Sequence, residues 1–507
     1  MSTLAVWPVL LPLIAGFVLL FAAAGGLRLQ RIINLVAVLG VTGLALALVG
    51  VAADGVHRVY ALGNWVPPFG IVLVLDRLSA LMVGLTMLLA LASLAYAIAT
   101  GVDERGPHFH VLFQLQLFGL NGAFLTGDVF NLFVFFEVLL LASYGLLLHG
   151  GGRLRTKAGL HYVVINLVGS TLFLFAVGAL YGVLGSLNLA DMANRVAAAP
   201  AENHGLIAGA GLLLLVVFGI KAAAFPLYLW LPAAYAQTSA PIAALFAIMT
   251  KVGIYAIVRV HGTLFGDEAG ALAGLITPWL QVAGWITLGL AALGVMAAAQ
   301  LRVQIAYLVL ASVGTLLIGF GLATPAASAG SLYYLIHSTL LAAAFFLLAD
   351  LIVRARGEDG DRLEPGAAMP GGVLLGALFL MLAMALAGMP PLSGFFGKLL
   401  ILHAALDDPR MAIHYAVILV SSFVIIVALA RSGSTLFYRS HADAPSTGLP
   451  LQKAALPAVL GLLLAAPLMV VLAQPLTALL EATALQLHDT RGYVDAVLST
   501  AAIGNEP

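Results

Sequence analysis

Glu137, Lys221, Lys251 and Lys398 each lie inside an apolar stretch long enough to be buried in lipid. A charge at the centre of a transmembrane helix costs roughly 2.5–3.5 kcal/mol on insertion scales. Stability does not explain four such charges, and ionisable groups at membrane depth mark ion or proton paths. Burial disfavours the charged form of such a group, and a nearby opposite charge restores it. Moving a carboxylate toward or away from a buried lysine therefore changes the lysine's proton affinity, the elementary step of a pump or exchanger.

Each residue has a plainer reading beside this one. Glu137 follows Phe133-Val134-Phe135-Phe136 and reads as half of a Glu–Lys switch, or as a structural ion pair orienting two helices. Lys221 precedes Phe225-Pro226, with Trp230 and Pro232 beyond it. The plain reading for Lys221, Lys251 and Lys398 is a lysine snorkelling to the interface. Thr250 and Tyr255 are the close polar neighbours of Lys251 in sequence, and Lys398 follows Gly394-Phe395-Phe396-Gly397. His337, in Tyr333-Tyr334-Leu335-Ile336-His337, is either a satisfied core histidine or a relay between Lys251 and Lys398. Asp76 reads as a local charge pair with Arg77 or a helix cap, and Asp350 as interfacial.

The elements that must position these groups are membrane helices. The 507 residues are 62% hydrophobic and 9% charged, with a mean hydropathy of +1.09; a soluble domain carries about 25% charged residues. Apolar runs of the spanning length predict an all-α polytopic membrane protein of about fourteen transmembrane helices: 3–24, 32–53, 74–99, 109–127, 129–149, 159–185, 206–231, 241–262, 275–299, 301–323, 329–353, 371–403, 412–437 and 452–476. The apolar start, without a basic leader, reads as the first span rather than a signal peptide.

The seventh and twelfth spans are broken, at Phe225-Pro226 and Pro232, and at Gly388-Met389-Pro390-Pro391. Proline removes a backbone donor, and carbonyls freed within a bilayer must find protein or water. Matching breaks in two halves point to a transport site, and each has a lysine close by. His161-Tyr162-Val163-Val164 aligns with Tyr333-Tyr334-Leu335-Ile336, which predicts two inverted five-helix repeats. The expected organisation is a single membrane-embedded domain, 1–507: spans 1–3 in 1–108, a first repeat in 109–262, a second in 275–437, and a last span and tail in 452–507. Lys and Arg concentrate in the loops after odd-numbered spans, while the other side holds Arg58, Arg195, Arg259, Arg410 and Arg491. The positive-inside rule then puts both termini outside the cytoplasm.

Other chemistry lacks its residues. The formal net charge of +0 gives no reason for nucleic-acid binding, and with no cysteine there is no disulfide, Cys-ligated iron–sulfur cluster or c-type haem. There is no Walker A motif, and no mid-helix Glu-x-x-His or close His pair. No cofactor or metal is expected.

The buried set together with Phe225-Pro226-Leu227-Tyr228-Leu229-Trp230-Leu231-Pro232 and Ala240-Pro241 resembles the antiporter-like subunits of respiratory complex I and their relatives. Two further stretches, 64–79 and 126–137, are similar to the D subunits of the multisubunit monovalent cation/proton (Mrp-type) antiporters, and the resemblance covers nearly the whole chain. Lys398 departs from the complex I member that tends to carry Glu there. The resemblance implies a non-enzymatic secondary-transporter subunit of the bacterial inner (plasma) membrane, surrounded by lipid and partnered by other antiporter subunits. It implies proton-driven efflux of Na⁺ or another monovalent cation, with a path through Glu137, Lys221, Lys251, His337 and Lys398. One departure concerns the turn after His337: Thr339-Leu340-Leu341-Ala342 lacks the lysine that many relatives have. The alternatives are a proton-pumping subunit of a redox complex, which would co-purify with flavin and iron–sulfur subunits, and a non-transporting assembly scaffold.

Overall fold

A computed structural model of the chain describes residues 2–439 and 447–500; the end of the expected tail, 501–507, lies outside them. The chain opens with α1 (Trp7–Ala22) and α2 (Leu27–Ala52). A hairpin of β1 (Arg58–Ala61) and β2 (Val72–Leu75) follows, antiparallel, with Arg58 opposite Leu75. Then come α3 (Arg77–Thr100), α4 (Phe109–Leu125), α5 (Val129–Leu148) and α6 (Arg153–Leu184). The short α7 (Leu189–Ala197) leads to α8 (His204–Ala222), α9 (Trp230–Gln237), α10 (Ala240–Phe246) and α11 (Met249–Ala256). A π turn at Ile257–His261 carries α11 into α12 (Gly262–Leu264).

The second half contains α13 (Thr277–Ala297), α14 (Leu301–Gly321), α15 (Pro325–Arg356), α16 (Gly372–Ala387), α17 (Ser393–Ala404) and α18 (Met411–Gly433). It closes with α19 (Leu456–Leu463), α20 (Ala465–Val471), α21 (Ala473–His488) and α22 (Thr490–Leu498). Among the described residues, twelve helical stretches are long and apolar enough to cross a membrane. Three shorter apolar helices, α4, α16 and α17, fall where the fourth and twelfth spans are expected.

Both expected breaks are present. Helix α8 stops at Ala222, Ala223 turns left-handed (φ 59°), and helix resumes at Trp230. Helix α16 stops at Ala387, Gly388 takes φ 84°, and α17 starts at Ser393. Two features were not anticipated. One is the β-hairpin, whose four-residue strands are too short to announce themselves by alternation. The other is the helical tail, in which α21 lies along α15 and α22 packs on α7 and β1.

The interior is a column of buried helices. Helices α10, α11, α14 and most of α15 are inaccessible along nearly their whole length. Helices α1, α2, α6 and α18 instead present residues such as Phe21, Val36, Phe175 and Phe423, each more than half exposed. Such an apolar exterior fits contact with acyl chains, and lipid gives no drive to bury it. The column is where Lys251 and His337 reside.

Candidate functional site

Glu137 lies on α5, half-buried, and accepts a hydrogen bond from Ser170 Oγ of α6. Lys221 sits in the last turn of α8 and donates to Asn166 Oδ1 at 3.2 Å. Asn166 and Ser170 are four residues apart and so share one face of α6. That face separates carboxylate from ammonium: the two are within electrostatic reach, but no salt bridge joins them among the described residues. The geometry at the break is local in origin. The chain leaves α8 at Ala223, the Phe225 amide finds Thr287 Oγ1 at 2.9 Å, and Trp230 Nε1 returns to the Ile220 carbonyl at 3.2 Å. Groups freed by the proline break thereby find partners within the protein.

Gly253 brings α11 against this break. A Cβ there would lie 2.8 Å from Ala222 Cα and 2.9 Å from the Lys221 carbonyl carbon. Lys251, two residues earlier, is wholly buried and donates to Ser312 Oγ of α14 at 2.7 Å. A cavity of about 10 Å³, with walls that include Tyr162, Asn166, Lys221, Met249 and Val252, lies between the Lys221 side chain and the start of α11. That is room for about one water molecule.

In the second half, His337 is fully buried on α15, its Nδ1 2.8 Å from Ser393 Oγ at the start of α17. Lys398, on α17, donates to the Ala387 carbonyl and to Ser422 Oγ, both at 2.9 Å. Ala387 ends α16, so the lysine satisfies a carbonyl that the break leaves free. Gly394 allows the approach, since a Cβ there would be 2.7 Å from His337 Nε2. His337 and Lys398 are within electrostatic reach, while no hydrogen bond joins Lys251 to His337 among the described residues.

The five expected residues thus form two linked groups, Glu137–Lys221 through α6 and His337–Lys398 through α17, while Lys251 is tied to α14 through Ser312. The sequence reading missed their polar partners, Asn166, Ser170, Ser312, Ser393 and Ser422. The Asn166/Ser170 pair was visible as two polar residues at helical spacing in an apolar span; single serines carry no such signal.

Two readings need correction. Arg259 is not a loop residue: it is buried in the π turn and pairs with Asp76 at 2.6 Å. Asp76 does cap α3, through Ser79, but Arg77 turns away to the Ala53 and Ala482 carbonyls. Asp350 pairs with Arg302 at 3.2 Å and Arg354 at 2.7 Å.

The family model described as NADH:quinone oxidoreductase/Mrp antiporter, TM, matches residues 126–425. The chain is 44% identical over 470 residues to the D-type subunit of a probable K(+)/H(+) antiporter of Rhizobium meliloti, covering 86% of this chain and 87% of that one. It is 40% identical over 409 residues to the D-type subunit of a Na(+)/H(+) antiporter of Alkalihalophilus pseudofirmus, covering 80% and 81%. Among solved structures it is similar to a chain of the Mrp complex from Dietzia sp., with a TM-score of 0.85, 29% identity and coverage of 98% and 99%. It is also similar to a chain of respiratory complex I from Thermus thermophilus, with a TM-score of 0.76, 26% identity and coverage of 95% and 99%.

Proposed function

The chain belongs to the NADH:quinone oxidoreductase/Mrp antiporter membrane-subunit family, and from that premise we propose that it carries the coupled proton path of a cation/proton antiporter. It is a D-type subunit of an Mrp-type antiporter, working with other subunits in a membrane complex. Protons run inward and drive a monovalent cation outward. Relatives are named for Na⁺ and for K⁺, so the transported species is a monovalent cation, Na⁺ being the first to test. Both termini face away from the cytoplasm, and two inverted five-helix units, 109–262 and 275–437, surround the two breaks.

Glu137 and Lys221 are the switching pair. Lys251 passes the proton along the midplane, His337 and water bridge it, and Lys398 hands it to the exit. A proton arriving beyond Lys221 disfavours a second positive charge nearby. Lys221 then trades its Asn166 contact for Glu137, or the reverse, and the proton affinity of the pair changes.

The observation that carries this reading is the placing of Asn166 and Ser170 on one helical face, holding Lys221 and Glu137 apart yet in reach. Each charge has a neutral partner on α6, so closing onto the other charge is a second state available to the pair. The test is exchange by Glu137→Gln in everted vesicles containing the full complex. Cation-dependent collapse of a proton gradient should be lost at matched complex amounts, and exchange at the wild-type rate would sink the reading.

A further inference from the structure

A second file of polar side chains leaves Lys251 toward the face that carries the hairpin. Lys251, Tyr255 and Arg259 recur every four residues, so they line one side of α11 and the π turn beyond it. Tyr255 Oη donates to the Phe124 carbonyl at 2.6 Å and accepts from Arg259 Nε at 3.2 Å. Arg259 and Asp76 pair at 2.6 Å, their side chains 7% and 1% exposed. Tyr493, from α22, covers the guanidinium, its ring centroid 5.5 Å from the central carbon. Outermost is His57, partly exposed, edge-on to Tyr493 at 5.8 Å. An ion pair and two phenols therefore stand between a buried lysine and an imidazole at the surface.

Structure alone does not account for the pair. Capping α3 needs only an acceptor, and Asn caps as well as Asp. A buried salt bridge is weak grounds for stability, because desolvation offsets the attraction. The π turn that carries Arg259 is a distortion frequent at functional sites.

We infer that Asp76 is a proton-exchange site between Lys251 and the aqueous phase at the hairpin face, and that Arg259 is the gate that keeps it shut. The inference rests on the reading of Lys251 as a step of the proton path. While paired, the Asp76 carboxylate meets the Arg259 guanidinium at 2.6 Å and accepts from the Ser79 amide at 2.8 Å, and both contacts favour its ionised form. The other charged and titratable groups around the pair are His57, Arg77, Asp489 and Tyr255, with Asp128 near Tyr493. A fixed cation in a narrow polar path also repels protons. When the pair separates, an N–H bond of the Lys251 ammonium breaks and an O–H bond forms at Asp76, relayed by the Tyr255 hydroxyl and water. The returning guanidinium then expels that proton to water beside His57. The step balances as the movement of one proton from Lys251 to water, with no other reactant.

The experiment measures cation-independent proton permeability of vesicles containing the full complex, at matched complex amounts. Arg259→Gln leaves Asp76 free to protonate and should raise permeability by about tenfold or more, the effect of lowering one charge barrier by about 1.4 kcal/mol. Adding Asp76→Asn, which keeps the cap and leaves no unpaired charge, should return it to the wild-type value, as should adding Lys251→Ala. Wild-type permeability in Arg259→Gln, or a leak that survives either second substitution, overturns the inference. If Arg259→Gln does not accumulate, Arg259→Lys serves, since it keeps a charge but loses the fork that grips the carboxylate. A leak above wild type supports the gate, and none overturns it. Normal cation-coupled exchange by Lys251→Ala alone would instead remove Lys251 from the transport path, whatever the leak shows.

Discussion

The site works through what each buried charge touches. A hydrogen bond to a charged group contributes about 1.5–3 kcal/mol, so Asn166→Leu, which strips Lys221 of its amide partner, should slow cation-coupled exchange by about tenfold or more. Stopped-flow dye quenching in vesicles checks it; an unaltered rate would remove Asn166 from the switch. The ionisable residues themselves were legible in the sequence, because a charge in an apolar run is conspicuous whatever its partners. Their partners were not. Ser312 and Ser393 look like any small residue in a membrane helix, and only the packing of α11 on α14 and of α15 on α17 gives them a lysine and a histidine to hold. Arg259 was misread because it follows Tyr255-Ala256-Ile257-Val258 near a span end, where arginine ordinarily reaches water; its partner Asp76 is 183 residues away in sequence.

At the scale of elements, the two breaks do the positioning, and glycines set how closely neighbouring helices approach them. Gly253→Ala would press a methyl against the end of α8, an overpacking that costs about 1–3 kcal/mol. The purified complex should melt at a lower temperature and exchange more slowly, whereas unchanged melting and exchange would mean that α11 can shift freely. Away from the site, Arg31 Nε lies 2.6 Å from Asp103 Oδ2 and His110 Nε2 lies 3.2 Å from the same oxygen, tying α2 to α4. Burial pushes the Asp103 carboxyl up, but Arg31 and His110 prevail and bring it to about 2. A depressed folded value stabilises above the ordinary carboxylate value of about 3.9. That contribution is lost as the pH falls through about 2. Asp103→Asn should therefore lower the melting temperature at neutral pH, and the difference from wild type should vanish in strong acid; a constant difference would assign it to packing. The proline breaks were legible because Pro and Gly act locally. The β1–β2 hairpin and the tail helices α21 and α22 were not, because the hairpin is held by contacts with α3, α4 and α22, and the tail by α7, α15 and the loop after α2, rather than by their own periodicity.

The whole molecule is an inverted packing problem: apolar helices α1, α2, α6 and α18 face outward, and polar groups line the column within. The fold class followed from composition and run length, since in lipid only helices and closed barrels satisfy every backbone group, and apolar runs of about 20 residues are of helix length. On the proposed path, coupling across both halves would be a property of no single helix; the Lys251–Ser312 bond ties α11 of the first half to α14 of the second. The most direct measurement follows a pH-sensitive dye in everted vesicles holding the full complex under a proton gradient, with Na⁺, K⁺ or Li⁺ added. Wild type is compared with Glu137→Gln and Lys398→Ala, one substitution in each half, at matched complex amounts. If one proton path runs through both halves of this chain, both variants lose cation-dependent collapse of the gradient while wild type keeps it. Collapse that persists in both would contradict the account, leaving this chain a scaffold and moving the proton path to a partner subunit.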